Sequence, residues 1–430
     1  MFFTLEELMR KFDLIVAGGG LTGVAAAVSA ARQGLQVLLI EQGGSLGGAI
    51  SMNLVYPFMR FWTDPEDGVR KWLSAGIFTE MCHRVAKYTP VAAPIDFSPE
   101  AMKFVLDDMV EEAGVTVLYH STLFAVTTQD RRIQSVSVAT KAGQMDFAAD
   151  FFIDATGDGD LMAFAGCDYQ LGRESDGLCQ PMTTCFRMAN LGRLADDKKP
   201  LNAIVNEAFN QWKEQGKITN PRENVLWFRG KALGDGIAHF NTTRIVKLDP
   251  TDPFQLSQAE VMARRQIWEM MELLKATGEP IFQNAQIVSI ASSIGVRESR
   301  KLKGVHILTV EELKNCTKFP DSIALGNYDV DIHNPEGSGT SHYYFAPGEY
   351  YTIPYRSLLP VEFDNLLVGG RCISATHEAQ ASIRIMPICA TLGQAAGLAA
   401  AVAKQTNTNA HTLDIFRLQD LLRQTGAAID

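Results

Sequence analysis

Four residues at fixed spacing carry the clearest chemistry in the chain: Gly18, Gly20, Gly23 and Glu41. Gly18 and Gly20 allow a tight bend and a close approach of backbone to ligand, and Gly23 lets the next element pack closely. Leu21 and Thr22 fall in the first turn of an expected helix, where free N–H groups and the helix dipole favour a diphosphate. Glu41 follows at close to the roughly 20 residues expected of the acid that binds a ribose hydroxyl. This is the chemistry of a dinucleotide site. Gln42 adjoins the acid, and Gly43, Gly44, Gly47 and Gly48 let the next loop fold back over the first motif, where Ser45 and exposed amides can reach ligand oxygens.

The elements around these residues read as one βαβ unit. An apolar strand over 14–17 breaks at the glycines, an Ala- and Val-rich helix runs over 21–32 and stops at Gly34, and a strand over 36–40 ends on Glu41. Residues 1–13 carry acids where a signal peptide carries positive charge and read as a small leading helix. Residues 60–99, with Pro65, Pro90 and Pro94 and with Pro57 just before, read as irregular. Ser98 starts a helix with Phe104, Leu106, Met109 and Val110 as its apolar positions and Gly114 as its end. Alternation from Val115 onward gives a three-stranded antiparallel meander with turns at Asp130 and Gly143, then an apolar strand over 151–153 that emerges into Ala155, Thr156, Gly157 and Asp158. In the middle of the chain, 180–191 alternates as a strand. Residues 201–215 and 258–276 read as amphipathic helices, with Val261, Ile267, Met270, Met271, Leu274, Trp212 and Trp268 as core.

At 430 residues the chain is long enough for two interleaved domains, and 46% hydrophobic with 20% charged residues is ordinary for a globular protein. A net charge of −10 leaves no basic footprint for nucleic acid or an anionic membrane. No run reaches about 18 uninterrupted apolar residues; the most apolar late stretch, 390–403, is too short to span a membrane. The seven cysteines form no CxxC pair and the histidines no HExxH pattern, so no metal centre is expected and the thiols read as reduced, in a cytoplasmic protein. Cys179 and Cys185 as a redox pair or flavin attachment point are the less favoured reading beside buried thiols.

Taken together, DATGDGDLMAFAG (154–166), IGVRESRKLKG (294–304), YTIPYRSLLP (351–360) and NLLVGGRCISATHEAQASIRIMPICATLGQAAG (365–397) resemble the FAD-dependent oxidoreductases of glutathione-reductase-like fold, distantly related to the flavoprotein subunit of succinate dehydrogenase and fumarate reductase. The resemblance implies an α/β architecture: a Rossmann-like FAD-binding domain with a parallel sheet and the inserted meander, made of 1–170 and 351–430, plus an interleaved α+β substrate domain over 171–350. It implies FAD as cofactor, with the ADP part on the first motif and the flavin at the last helix. Ala155, Gly157, Asp158, Gly370, Arg371 and Pro387 then join the cofactor site. Pro387 suits a helix start, where its missing N–H leaves nothing unpaired.

The resemblance also implies an enzyme that moves a hydride between flavin N5 and a small polar substrate, as a dehydrogenase or oxidase or as a reductase of an activated double bond. The alternative is a flavin-binding protein whose FAD is structural or passes electrons to a protein partner. Arg384 and His377 fall where fumarate-reductase-like flavoproteins carry an Arg and a His facing substrate. Arg297 in GVRESR is a third candidate, beside Arg300 and Lys301 that could equally be surface charge. His333 lies with His342 in a polar loop that could lid the pocket. The partner implied is a small molecule, with neither nucleic acid nor membrane, and the oligomeric state is open.

Overall fold

The structure is a computed structural model that describes residues 10–66, 68–89, 94–192 and 199–430. Strand β1 (Arg10–Ala17) runs into the glycine turn, and helix α1 (Leu21–Ala31) leaves it. Residues 10–13 of the expected leading helix belong to β1 instead; residues 1–9 and Pro90 lie outside the described residues. Strand β2 (Val37–Ile40) pairs in parallel with β1, Ala17 opposite Ile40, which delivers Glu41 beside the turn.

The stretch expected to be irregular contains a helix, α2 (Ile77–Val85), whose Ile77, Phe78, Met81 and Val85 share one buried face. Ser98 caps α3 (Pro99–Glu112) by accepting from the Ala101 N–H at 3.2 Å. Its buried face is Met102, Val105, Leu106, Met109 and Val110; Phe104, expected inside, points to solvent.

Strand β3 (Thr116–Leu118) extends the parallel sheet beside β2. The meander is β4 (Thr122–Gln129), β5 (Arg132–Thr140) and β6 (Gly143–Asp154). The expected separate strand over 151–153 is the far end of β6, which pairs antiparallel with β5 early on and parallel with β1 later. One strand thus serves two sheet types, and the order is β3-β2-β1-β6-β5-β4.

Strand β7 (Phe186–Ala189) is the regular part of the strand expected over 180–191; Met182 and Thr183 make only isolated bridges. It is followed by helix α4 (Lys199–Glu214), strands β8 (Trp227–Phe228) and β9 (Ala238–Phe240), helix α5 (Pro253–Ala276) and strand β10 (Gln286–Ile290). The sheet runs β8-β9-β7-β10. Phe186, Met188 and Phe240 from the sheet share a core with Val205 and Phe209 of α4 and Ile267 and Met270 of α5. Trp212 packs partly buried against this core. Val261 and Trp268, expected inside, are exposed, because the inward face of α5 follows Ala259, Ala263, Ile267, Met270 and Leu274.

The chain returns through β11 (Leu366–Val368), parallel to β6 with Val368 opposite Asp154. A short helix the sequence reading passed over, α6 (His377–Ile383), precedes α7 (Met386–Thr406). By length and composition α7 is apolar enough to cross a membrane, more than the 390–403 stretch suggested, yet it is wholly buried in the protein. Gly393 and Gly397 lie on Thr22 and Ala26 of α1, so close that a Cβ at either would overlap a backbone carbonyl.

Candidate functional site

Four turns, at 18–20, 47–48, 155–157 and 370–371, converge at the N-termini of α1 and α7. Gly18 holds φ at +97°, and a Cβ there would strike the Ala155 carbonyl. Gly23 lies against the Gly18 carbonyl, and a Cβ on Gly157 would come within 2.9 Å of the Arg371 guanidinium. The loop after β2 folds back as expected: Gly47 N–H donates to Gly19 O at 2.8 Å, and a Cβ on Gly48 would meet Gly20 Cα at 3.0 Å. Thr22 Oγ1 donates to Cys389 O at 3.1 Å, which ties the first turn of α1 to that of α7. Leu21 and Pro387 are buried at the two helix starts, and Gly370 sits against Thr22.

The polar groups around this cradle are only partly used. Glu41 is buried and accepts from Gly19 N at 2.7 Å and Gly43 N at 2.5 Å, which fixes its carboxylate beside the turn with lone pairs to spare. Gln42 is exposed. Arg371 Nη2 contacts Asp158 Oδ1 at 2.8 Å, while its buried Nη1 has no partner among the described residues, nor has Ser51 Oγ. Burial pushes Asp154 up to about 6, against the N–H groups of Met162 and Thr156 that it accepts from. This carboxylate anchors the turn carrying Ala155, Gly157 and Asp158. A backbone cradle without side chains, two helix N-termini, an idle guanidinium nitrogen and a fixed acid fit the diphosphate and ribose of a dinucleotide.

A second constellation centres on Asp331. Arg384 Nη2 lies 3.5 Å from Asp331 Oδ2, and its buried Nε has no partner among the described residues. His333 Nε2 lies 3.3 Å from the same oxygen, and Tyr328 donates to it at 3.0 Å. Arg244 Nη2 approaches His333 Nδ1 at 3.2 Å. An arginine only donates, so Nδ1 is the bare acceptor and the His333 proton sits on Nε2, facing Asp331. Burial first, then the Arg297 charge, brings His333 down to about 3, so it is neutral. Asp331 is held well below the usual carboxylate range: burial opposes this, but His333, Arg384 and Arg297 outweigh it.

Arg297 joins this cluster through uncharged partners. It donates to Pro181 O and Thr183 Oγ1 at 2.6 Å, and to Asn241 Oδ1 at 3.4 Å. Burial, followed by Arg384 and Arg222, pushes it down to about 9. A guanidinium stays charged, so this direction reports crowded positive charge that an anion would relieve. Arg222 donates to Asn241 O at 2.9 Å, and Arg244 pairs with Glu223 at 2.9 Å.

Of the four sequence candidates for chemistry, the structure thus gathers Arg384, Arg297 and His333 around Asp331. His377 turns elsewhere: its Nδ1 lies 2.7 Å from Glu298 Oε2, in a buried triad where Lys301 Nζ meets Glu298 Oε1 at 2.5 Å. Lys301 is therefore fully buried and Arg300 pairs with Asp160 at 2.8 Å, so neither is free surface charge. His342 pairs with Asp329 at 2.6 Å beside the cluster. Cys179 and Cys185 are separate buried free thiols that burial holds protonated, at about 12 and about 11. Asp331, Glu298, Arg244 and Arg222 escaped the sequence reading. The DIH alternation before His333 and the E-S-R-K spacing could have flagged the first two; no local pattern marks the arginines.

Residues 13–422 match the profile of the family described as FAD dependent oxidoreductase. The curated protein FixC of Bradyrhizobium diazoefficiens is 30% identical over 173 residues, covering 34% of this chain and 37% of FixC. The chain therefore matches little more than a third of that relative's length. Among solved structures, a geranylgeranyl bacteriochlorophyll reductase-like protein from Thermoplasma acidophilum is 14% identical with a TM-score of 0.48, over 97% of this chain and 85% of that one. The myxobacterial chondrochloren halogenase CndH is 13% identical with a TM-score of 0.43, over 97% and 79%.

Proposed function

Because the chain belongs to the FAD-dependent oxidoreductase family, we propose that it oxidises or reduces a small carboxylate-bearing substrate held by Arg384 and Arg297 beside the flavin. In this reading FAD lies along Gly18, Gly20, Leu21, Thr22 and Gly23, with Glu41 and Gln42 at the ribose and Gly47, Gly48, Ala155, Gly157, Asp158, Gly370, Arg371 and Pro387 around the rest. Residues 1–170 and 351–430 form the flavin-binding part and 171–350 the substrate part. Support for the division comes from β11 and α7 returning to β6 and α1, while the four-stranded sheet has its own core. When bound, FAD supplies two-electron chemistry as hydride uptake or release.

The observation that carries the proposal is the surplus of buried positive charge. Arg222, Arg244, Arg297 and Arg384 contact only two carboxylates among the described residues, Asp331 and Glu223. Arg384 can present a planar fork to a carboxylate, and the neutral partners of Arg297 leave its charge for the same anion. His333 keeps its proton at Nε2 and orients Asp331, which in turn holds Arg384. His377 acts at one remove: with Lys301 it fixes Glu298, next to Arg297, while Gln380 Nε2 donates to Arg297 O at 2.8 Å.

The test is anaerobic stopped-flow of the holoprotein, reading flavin absorbance against a panel of hydroxy and saturated acids beside their methyl esters, and the reduced holoprotein against unsaturated ones. Reaction with an acid and not with its ester is expected. Esters that react as fast as their acids would sink the carboxylate reading.

A further inference from the structure

The face of the four-stranded sheet opposite its core carries a second group of idle polar atoms. Arg187 on β7 and His239 on β9 are register partners. Arg187 is 8% exposed and His239 fully buried. Among the described residues, Arg187 Nε and Nη2 and both His239 ring nitrogens have no hydrogen-bond partner. The ion-pair contact of Arg187 is Glu100 at 3.7 Å, a largely exposed side chain in the first turn of α3. Asp96 does not serve it either: Asp96 accepts from Tyr56 OH at 2.5 Å and from Ala232 N at 3.4 Å. Buried donors left without acceptors cost free energy, more so when one carries charge, and a bound oxyanion removes that cost.

The walls are aromatic. The Tyr56 ring stands edge-on to His239 at 5.6 Å, and Phe228 stacks on His239 at 6.3 Å. Burial holds His239 neutral, at about 3, so it offers one N–H donor and one acceptor. Thr183, the residue that holds Arg297, lies four positions before Arg187, at most about 13 Å along an extended chain.

We propose that Arg187 and His239 form a second carboxylate-binding subsite, separate from the Arg384 and Arg297 cluster, which takes an organic acid whose apolar body lies against Tyr56 and Phe228. The proposal rests on the reading of residues 171–350 as the substrate part, but its test reads binding rather than turnover.

Isothermal titration of holoprotein carrying Arg384→Gln, with sodium benzoate as probe and acetate as the small comparison, isolates the subsite. If Arg384 holds no anion, that background is merely harmless, so failure of the Arg384 reading leaves this measurement intact. Benzoate is expected to bind, more tightly than acetate, and adding Arg187→Met should weaken it by roughly tenfold or more, the loss of one charge-assisted pair. His239→Asn should weaken it less, and Arg187→Lys should restore part of it; these two carry the comparison if Arg187→Met does not accumulate as folded protein. The proposal is overturned if benzoate fails to bind in the Arg384→Gln background, or if Arg187→Met leaves its affinity unchanged. A lower FAD content in Arg187→Met with normal benzoate binding by the remaining holoprotein would overturn it as well, by assigning Arg187 to the cofactor.

Discussion

Around Gly18 the groups brought together are backbone amides and absent side chains, supplied by turns at 18–20, 47–48, 155–157 and 370–371; around Asp331 they are guanidiniums and an imidazole. The glycine region excludes added atoms, since a Cβ at Gly18 or Gly23 collides with backbone. The arginine region has room in its hydrogen bonding but is sensitive to charge, since burial and mutual repulsion already pull Arg297 down to about 9. Shape therefore dominates one region and electrostatics the other. The contrast predicts that substitutions in the two regions fail differently.

The largest effect is expected in the cradle. Gly23→Val or Gly18→Val should leave a protein with no bound flavin, checked by the ratio of flavin to protein absorbance after purification. A variant with full flavin content would show that the cradle is not shape-limited. Next comes Arg384→Lys, which keeps the charge but loses the fork. Flavin reduction by an active acid should slow by one or more orders of magnitude, consistent with about 1.5–3 kcal/mol for a charge-assisted pair. Flavin content and melting temperature should hold. Should the variant instead shed flavin and turn over normally when loaded, Arg384 belongs to the scaffold.

An intermediate effect concerns acid. His333 and His239 are held at about 3, mainly by burial, while an unfolded His titrates near about 6.5. Between those values the unfolded chain binds more protons, so stability should fall as pH is lowered through that window. Asp331, held low, acts in the same direction below its unfolded value. Urea midpoints across the window should drop in the wild type and drop less steeply in His239→Gln; equal slopes would mean that His239 is not buried as a neutral group. The smallest effect is expected outside both regions: Trp268→Gln on the exposed face of α5 should change stability within about 0.5 kcal/mol, read from the same midpoints.

The same contrast explains what the sequence made legible. The cradle is local in sequence, because strand, turn, helix and acid follow one another within residues 12–41, and the glycine loop comes straight after. For its second half, 365–397, the resemblance to the flavoprotein family implied a cofactor role, while the small residues of the helix by themselves announce only close packing. The cluster around Asp331 is not local. Arg222, Arg244, Arg297, Asp331 and Arg384 come from separate segments, and an arginine in sequence looks the same whether it faces solvent or a buried aspartate. Trp268 and Phe104 depart from expectation for a related reason: a large apolar side chain reads as core in the sequence, but neither lies on the helical face that its buried neighbours share.

The bond from Thr22 to Cys389 spans 367 residues, and it sets a timetable for biosynthesis. Emerging from the ribosome, the first βαβ unit has its Ala- and Val-rich helix ready long before its packing partner exists. Until the segment from Met386 onward clears the exit tunnel, that helix shows an apolar flank to the cell, a natural hold point for chaperones. Contacts so distant in sequence also close slowly, because their loop entropy must be overcome first. Cofactor capture is then a late event: nascent chains stalled before residue 386 should bind no FAD, and released full-length chains should acquire it. Stalled chains that already held the flavin would place loading ahead of helix docking.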